Sequence, residues 1–522
     1  MLRLLGVAVL LNLLLLLPLW LRFGEISTRW VALEAVLIGA LVLLLPAGRL
    51  GWLRPLLTLI VLVAVLVGFG DVATHLAFGR SLNLYLDVPL LRSVFHLLEG
   101  NLGIWAAWAA SLTALLVIGF GGWALNCGLR IGQQQSPGVA VALVVVLLVV
   151  ASTALMAAQW HHHRWLPVAR APAMDTLRFQ GQQLVDTHRA HRDFSSRMAA
   201  APTQATALPG LTGRDVLLVF VESYGASALR DPRFSEVVVP RLEEMDQRLE
   251  AAGLSVATGM LDAPIRGGQS WLAHASTLGG LEIDNSLWYR LMLESGRPTL
   301  VDDFRATGHR TLTVMPAISM AWPEGVAYGF DEIHAAADID YAGPPLNWVT
   351  MPDQFTLHHF EQRIRGPAVE SLFAQIALIS SHAPWTPIIP VLDNWDDVGD
   401  GSIFYRWEEA GDPPDVLWQD MERVRDHYAL SIDYALHASA RWAEAFVDDD
   451  TLLILLGDHP PAPLIVGDDA GFGVPVHVIS GDARLLDPFL ARGFVPGMLP
   501  GTGEASAGLD ALRGWLHEDF GR

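Results

Sequence analysis

Five long apolar runs fill the first 159 residues, and they limit the possible folds more than any other feature of the sequence. The runs lie at 4–21, 31–47, 55–70, 103–125 and 137–159, and several contain no charged residue. Their lengths are close to the roughly 17 to 25 residues that a helix needs to cross a bilayer. We therefore predict a transmembrane domain of five helices over residues 1–159. A cleaved signal peptide is the alternative for the first run, but no small-residue cleavage site closes it before Arg22.

The charge of the chain divides at the same place. Residues 1–159 hold 8 Arg and 5 acidic residues, a net charge of +3, whereas residues 160–522 hold 26 Arg and 50 acidic residues, a net charge of −24. An apolar membrane part and an acidic soluble part therefore share one chain. Such acidity excludes a nucleic-acid-binding protein, because neutralising phosphates requires clustered positive charge. The chain contains no lysine, which excludes Schiff-base and phosphate-loop lysines.

Two further segments belong to the membrane part or lie next to it. Loop 71–102 is too polar to span a membrane, and its apolar residues predict a helix on the membrane surface. The residues that share one face of that helix are Leu90, Leu91, Val94, Leu97 and Leu98. Residues 160–213 are predicted to form a juxtamembrane connector. The few arginines of the loops favour a cytoplasmic N-terminus, with the C-terminal part on the other side.

From residue 214 the pattern changes to short apolar runs that alternate with amphipathic helices. Five runs are typical of buried strands, at 215–223, 310–316, 373–381, 451–458 and 475–480. Helical patterns lie between them, notably at 237–252, 298–307 and 416–446. This alternation predicts an α/β domain over 214–522, with a mostly parallel sheet covered by helices on both faces. Functional groups of such domains collect at the carboxyl ends of the strands.

Polar residues follow three of these runs. Glu222 follows VLLVFV, Asp458 and His459 follow LLILLG, and His382 follows IALISS. Oxygen and imidazole ligands together suit Zn²⁺ or Mn²⁺. Ligation by Glu222, Asp458 and His459 would leave one coordination position open, as in catalytic metal sites.

A nucleophile for such a site is available in the segment RGGQSWLAHASTLGG at 266–280. Ser270 follows two glycines and precedes a helix-compatible run, so we predict it at a helix N-terminus. The helix dipole there favours an alkoxide or a bound phosphate. Simple capping of the helix is the alternative role for this serine, and Ser276 and Thr277 are competing hydroxyls.

These motifs, in this order, resemble those of lipoteichoic acid synthases and related phosphoglycerol transferases, which are sulfatase-like membrane phosphotransferases of the alkaline phosphatase superfamily. VFVES resembles the family motif whose Glu, here Glu222, binds the metal. GGQS resembles the stretch that carries the family's Thr nucleophile, with Ser270 in its place. SSHAPW resembles the segment whose His, here His382, contacts the phosphoryl group or the leaving oxygen. GDH resembles the motif that supplies Asp458 and His459.

The resemblance also implies a substrate pocket. The tract at 320–333 resembles the family segment whose Trp helps to form the headgroup pocket, which makes Trp322 a candidate. The Arg that follows this Trp in the family has no clear equivalent here, and Arg266 or Arg310 is the candidate replacement. His477, within the last predicted strand, is a further candidate for contact with the substrate.

The activity implied is transfer of a phosphoglycerol headgroup from a phospholipid, through a covalent intermediate on Ser270, to a glycan or glycolipid acceptor. The resemblance implies one divalent metal ion held by Glu222, Ser270, Asp458 and His459, with Mn²⁺ expected ahead of Zn²⁺ or Mg²⁺. It further implies a multi-pass protein of the bacterial inner membrane whose catalytic domain lies on the periplasmic or extracellular side.

Three alternatives remain open for the function. A phosphoethanolamine transferase would use the same site, although ESYG and GDHPP differ from the E-T-x-R and D-H-G-E sequences typical of those enzymes. A metal-dependent phosphodiesterase or phosphatase would use water as the acceptor. A catalytically silent sensor or scaffold would keep the fold without turnover. A formylglycine sulfatase is not supported, because the sequence lacks its C-x-P-S-R or S-x-P-x-R signature.

Overall fold

The computed structural model describes most of the chain as two compact units. The first comprises Met1–Leu76 and Arg80–Arg192, and the second comprises Ala77–Gly79 and Asp193–Arg522. The boundaries at 159 and 213 stay predictions. The described residues are 2–23, 29–44, 51–88, 91–133, 138–161, 163, 165–166, 168–200, 203–319, 322–366, 368–503, 505 and 507–521.

The first unit is helical, as predicted. Four of its helices are long and apolar enough to cross a membrane, judged by length and composition. The helix Leu33–Leu44 is also apolar, but its 12 residues extend for only about 18 Å. It lies within the predicted run 31–47, whose residues 45–47 lie outside the described part. The four long helices are Leu2–Phe23, Leu53–Phe78, Ile104–Gln133 and Val139–Trp160.

The predicted surface segment 71–102 is divided among three helices. Its first part is not a loop, because the long helix continues through it to Phe78. The short helix Leu84–Asp87 follows, and the helix Leu91–Leu102 comes next. Leu91 and Val94 are exposed on the latter, as a surface helix requires, whereas Leu90 lies outside the described residues.

Two further elements complete the first unit. A short parallel pair joins β1 (Val31–Ala32) to β2 (Ala169–Arg170). The helix Pro172–Ala200 follows β2, and its last residues belong to the second unit.

The second unit is built on an eight-stranded sheet of order β10-β4-β9-β8-β3-β7-β5-β6. Strands β8, β3, β7, β5 and β6 are parallel, β9 is antiparallel to β8 and β4, and β10 is antiparallel to β4. The predicted fold class is therefore confirmed. The strands are β3 (Asp215–Val221), β4 (Ser255–Asp262), β5 (Arg310–Met315), β6 (Glu332–Ala335), β7 (Leu372–Leu378), β8 (Thr451–Gly457), β9 (Gly473–Ser480) and β10 (Val495–Pro496).

Strand β3 carries buried apolar side chains on both of its faces, so both faces of the sheet must be covered, and helices cover them. Its side chains at 217, 219 and 221 face one core, and those at 216, 218 and 220 face the other. The first core holds the helices Pro232–Ala251 and Met421–Phe446. The second core holds the helices Ser270–Gly279, Ser286–Glu294, Leu300–Thr307 and Ala511–Phe520.

Shorter helices complete the second unit. They are Ser227–Arg230, Pro323–Tyr328, Asp353–His359, Phe360–Arg365, Pro414–Leu417, Pro463–Val466 and Asp487–Ala491.

Candidate active site

Three candidate metal ligands meet at one edge of the sheet because β3 and β8 are direct neighbours. Val221 lies opposite Gly457 in the parallel register, so the residues that follow them, Glu222 and Asp458, lie side by side. His459 is the next residue along the chain. The ligand atoms of Glu222, Asp458 and His459 lie within 4.8 Å of one another, and all three side chains are buried.

Hydrogen bonds select the atoms that face the shared point. Asp458 Oδ1 accepts from the backbone N–H groups of Ser223 at 2.8 Å and His459 at 2.6 Å, which leaves Oδ2 as the available oxygen. His459 Nδ1 lies 2.9 Å from the carbonyl oxygen of Pro460 and therefore carries a proton, so Nε2 is the ligand atom. Such a backbone partner for the second ring nitrogen is usual for metal-bound histidines. His459 Nε2 lies 3.4 Å from Glu222 Oε1 and 3.8 Å from Asp458 Oδ2.

The electrostatics of this cluster fit a divalent cation. Burial, followed by the charge of Glu222, raises the pKa of Asp458. Burial alone would raise the pKa of Glu222 too, but the charge and hydrogen bond of His459 lower it. Burial would lower the pKa of His459, yet the carboxylates of Asp458 and Glu222 raise it to about 9. Without a metal the cluster thus keeps a proton on His459 Nε2, and a bound cation would take the place of that proton.

Ser270 lies against these ligands at the start of the helix Ser270–Gly279. The three preceding residues, Gly267, Gly268 and Gln269, have φ values of 76°, 124° and 67°, and glycine adopts such angles without steric cost. This turn places Ser270 Oγ 2.9 Å from Glu222 Oε2 and 3.2 Å from His459 Nε2. The side chain is partly exposed, so a substrate can reach a hydroxyl that already contacts two candidate metal ligands.

The competing hydroxyls of the same helix are engaged elsewhere. Ser276 Oγ donates to the carbonyl oxygen of Leu272 at 2.8 Å, and Thr277 Oγ1 donates to that of Ala273 at 2.9 Å. Both side chains are buried. Of the three hydroxyls, Ser270 is the one that the structure brings to the ligands.

His382 follows β7, the other neighbour of β3. The residue before it contacts the end of β3, because Ser381 Oγ donates to the carbonyl oxygen of Glu222 at 2.6 Å. His382 Nδ1 lies 2.6 Å from the carbonyl oxygen of Ala383, so Nδ1 carries the proton and Nε2 remains for a substrate. The ring of Trp348 stacks on the imidazole, with centroids 3.8 Å apart and planes at 15°. Sequence reasoning missed Trp348, which belongs to a distant loop without a motif of its own.

His477, a predicted substrate contact, is buried in β9, where its ring nitrogens contact two hydroxyls. Alternation along β9 places its side chain fully inside the protein. Its Nδ1 lies 2.9 Å from Thr258 Oγ1, and its Nε2 lies 3.2 Å from the hydroxyl of Tyr224. Burial lowers its pKa to about 3. His477 is therefore a neutral bridge between two buried hydroxyls.

The two candidate arginines are also engaged elsewhere. Arg310 is the first residue of β5 and lies at the amino ends of the parallel strands. The candidate ligands follow the carboxyl ends, on the opposite side of the sheet. Arg310 pairs with Glu332, with 2.7 Å between Nη2 and Oε2. Arg266 Nη1 donates to the carbonyl oxygens of Asp468 and Ala470, at 2.9 and 2.5 Å. These contacts hold Arg266 against the loop that follows the helix Pro463–Val466.

Trp322 precedes the helix Pro323–Tyr328 and packs at the border of the second core. Its ring lies 6.2 Å from that of Tyr328, measured between centroids. The two residues before it, at 320 and 321, lie outside the described part of the chain. Its place in a headgroup pocket stays a prediction.

No protein-family model and no curated protein matches this chain. Among solved structures, the lipoteichoic acid synthase LtaP from Listeria monocytogenes is 13% identical, with 60% of this chain and 73% of that chain covered and a TM-score of 0.38. The integral membrane lipooligosaccharide phosphoethanolamine transferase A from Neisseria meningitidis is 12% identical, with 96% and 94% covered and a TM-score of 0.46. The phosphoglycerol transferase GacH of Streptococcus pyogenes is 13% identical, with 56% and 74% covered and a TM-score of 0.36. The solved structures similar to this chain thus include phosphoglycerol and phosphoethanolamine transferases.

Proposed function

We propose that this protein is a membrane-anchored, metal-dependent phosphotransferase that moves a phosphoglycerol headgroup from a phospholipid to a glycan or glycolipid. The observation that carries the proposal is the contact of Ser270 Oγ with Glu222 and His459. It combines an accessible nucleophile with buried metal ligands at a helix N-terminus, where backbone N–H groups favour a phosphate. Helices of membrane-spanning length on the same chain favour a lipid as the donor.

Glu222, Asp458 and His459, together with Ser270, would hold one divalent ion, for which we propose Mn²⁺ ahead of Zn²⁺ or Mg²⁺. When bound, such an ion lowers the pKa of a coordinated hydroxyl and stabilises negative charge on the phosphoryl oxygens.

The chain's own residues account for the proton movements. Ser270 donates a hydrogen bond to Glu222 Oε2, so this carboxylate takes the proton as the Oγ–P bond forms. The bond between phosphorus and the diacylglycerol oxygen breaks, and His382, when protonated on both ring nitrogens, gives its Nε2 proton to that oxygen. An acceptor hydroxyl then attacks phosphorus and gives its proton to His382. The Ser270–P bond breaks, and Ser270 recovers its proton from Glu222.

The direct test compares Ser270→Ala with the native protein on phosphatidylglycerol labelled in its headgroup. We expect the variant to lose both diacylglycerol release and the labelled covalent adduct. Ser276→Ala, a buried serine of the same helix, is the matched control and should keep both. Continued adduct formation in Ser270→Ala would remove the assignment of the nucleophile.

Parallel reactions separate the remaining functions. Diacylglycerol released from phosphatidylethanolamine rather than phosphatidylglycerol would identify a phosphoethanolamine transferase. Free glycerol phosphate formed at full rate without an acceptor would identify a hydrolase. Transfer of the label to a glycan or glycolipid supports the proposal.

We further propose that the protein lies in a bacterial inner membrane with residues 214–522 outside the cytoplasm. Protease added to intact spheroplasts should then digest this part. Protection until the membrane is permeabilised would reverse the proposed orientation.

A further inference from the structure

We propose that Ser223 is a positioning residue that sets the orientation of two metal ligands, and that Tyr428 in turn fixes Ser223. This inference rests on the metal site of the proposed function. It assigns a role to a residue that touches neither substrate nor, by its own side chain, the ion.

The backbone at Ser223 is unusual for a residue with a side chain. Its φ is 58°, in the left-handed region that disfavours residues carrying a Cβ. The turn ends β3 and directs two different groups of the same residue towards the site. The Oγ of Ser223 donates to Glu222 Oε1 at 2.8 Å, and its backbone N–H donates to Asp458 Oδ1 at 2.8 Å.

Each of these bonds leaves one oxygen of a carboxylate available. With Oε1 held by Ser223, Glu222 presents Oε2 to Ser270. With Oδ1 held by the N–H groups of Ser223 and His459, Asp458 presents Oδ2. Both carboxylates are therefore oriented before an ion arrives, and partners of this kind commonly contribute a factor of about 10 to 100 in metal affinity.

Tyr428 holds the remaining polar atom of Ser223. Its hydroxyl donates to the carbonyl oxygen of Ser223 at 2.9 Å. The tyrosine is fully buried, and its ring meets those of Phe234 and Trp385 edge to face at 5.1 and 5.6 Å. A rigid side chain from the helix Met421–Phe446 thus fixes the peptide plane at the turn.

The experiment uses the full-length protein in detergent, stripped of metal, with Ser223→Ala, Ser223→Gly and the control Ser439→Ala. Ser439 is also buried, and its Oγ donates within its helix to Ala435 at 2.7 Å. The readouts are the Kd for Mn²⁺ by titration calorimetry and the thermal midpoint without metal. We expect both Ser223 variants to bind Mn²⁺ about 10 to 100 times more weakly, with Ser439→Ala close to native.

The pair of Ser223 variants separates positioning from folding. Glycine accepts the left-handed turn without steric cost, so Ser223→Gly should unfold no earlier than Ser223→Ala while its Mn²⁺ affinity stays low. Native Mn²⁺ affinity in both Ser223 variants would overturn the proposal. It would also be overturned if, across all three variants, the loss of Mn²⁺ affinity were proportional to the decrease in thermal midpoint. A native protein that binds neither Mn²⁺ nor Zn²⁺ would instead overturn the metal site and the proposed function.

Tyr428→Phe tests the second half of the proposal. It removes one hydroxyl and keeps the ring, so we expect a weaker loss of Mn²⁺ affinity in the same direction. Native affinity in this variant would show that Tyr428 does not fix Ser223.

Discussion

At the scale of single residues, buried histidines show how neighbours determine charge. His459 lies between two carboxylates, which raise its pKa to about 9. His477 contacts the hydroxyls of Thr258 and Tyr224, and burial lowers its pKa to about 3. Both side chains are inside the protein, yet the carboxylates favour the protonated form of His459, whereas burial keeps His477 neutral.

The depressed pKa of His477 predicts a pH effect on stability. An unfolded histidine titrates near 6.5, so between about pH 6.5 and 3 the unfolded chain binds more protons at this position, and stability falls as the pH falls. Between pH 7 and 5 this corresponds to about 2 kcal/mol. His477→Gln should be less stable at pH 7 but should lose less stability on going to pH 5. Urea unfolding at both pH values measures this, and equal losses in the two proteins would contradict it.

The stacking of Trp348 on His382 predicts an effect on turnover. Trp348→Ala should lower kcat by about tenfold, because a displaced imidazole protonates the leaving oxygen poorly, whereas Trp348→Phe should retain most of the activity. Trp322→Ala is the informative comparison. If Trp322 lines the headgroup pocket, its removal should raise KM for the lipid and leave kcat close to native. Steady-state kinetics on phosphatidylglycerol separate the two effects, and an unchanged kcat in Trp348→Ala would contradict the role.

At the scale of elements, the helix that carries Ser270 is held at both ends. Its first residue contacts the ligands, and the carbonyl oxygen of Gly279 accepts from Arg513 Nη1 at 3.1 Å. Arg513 also pairs with the fully buried Asp303, at 2.7 Å from Nε and 3.2 Å from Nη2. The helix Ala511–Phe520 therefore secures the end of the Ser270 helix that lies away from the candidate site.

Breaking this buried pair should be costly. Arg513→Met leaves Asp303 without its main partner, and we expect a loss of about 3 kcal/mol in the free energy of unfolding. Arg484→Met is the matched control, because Arg484 pairs with Asp482 at 2.8 Å but is 82% exposed, so this variant should lose far less stability. Chemical denaturation of both variants tests the difference, and similar losses would contradict it.

The sequence predicts elements well where apolar residues are continuous. The five predicted strands are all present, because each is buried on both faces and carries few polar residues. β4 was not predicted, because its Gly259 interrupts the apolar pattern. That glycine is required by packing, since a Cβ there would lie 2.4 Å from the ring of Phe494. A contact between positions so far apart in the chain leaves no local signal.

In the candidate site, too, positions given by strand ends could be predicted, whereas contacts between distant positions could not. Glu222, Asp458 and His459 follow strand ends, so their proximity could be inferred from the sheet alone. The contacts of Arg310 with Glu332, of Arg266 with backbone carbonyls and of His477 with Thr258 could not be predicted, because they depend on tertiary structure. Ser223 stands beside a ligand in the sequence, but its role depends on a left-handed backbone that no pattern revealed.

At the scale of the whole molecule, the two units place apolar side chains differently. In the first unit, Leu115, Phe120 and Leu147 are 66 to 67% exposed, and many other apolar side chains of the long helices are exposed too. In the second unit, the two cores flanking the sheet are buried. Lipid would cover the former side chains in a membrane, whereas the protein itself covers the latter.

The extent of the second unit predicts where a soluble fragment must begin. Phe194, Leu208 and Leu211 are buried in its core at 0 to 1% exposure, and Phe194 stacks on Trp288 with centroids 4.9 Å apart. A fragment that begins at 193 should therefore be more stable than one that begins at 214, by about 10 °C or more in Tm. Thermal unfolding of both fragments checks this, and equal midpoints would show that these three side chains contribute little.

The central pairing of β3 with β8 also has a consequence for biosynthesis. Glu222 and Ser270 are translated early in the second unit, but Asp458 and His459 follow only after nearly two hundred further residues. A nascent chain therefore displays isolated donors that bind cations weakly, and the complete ligand set arises only once β8 has been added beside β3. An ion bound at the proposed site would accordingly be selected by the compartment in which β8 pairs with β3, and not by the one in which synthesis begins.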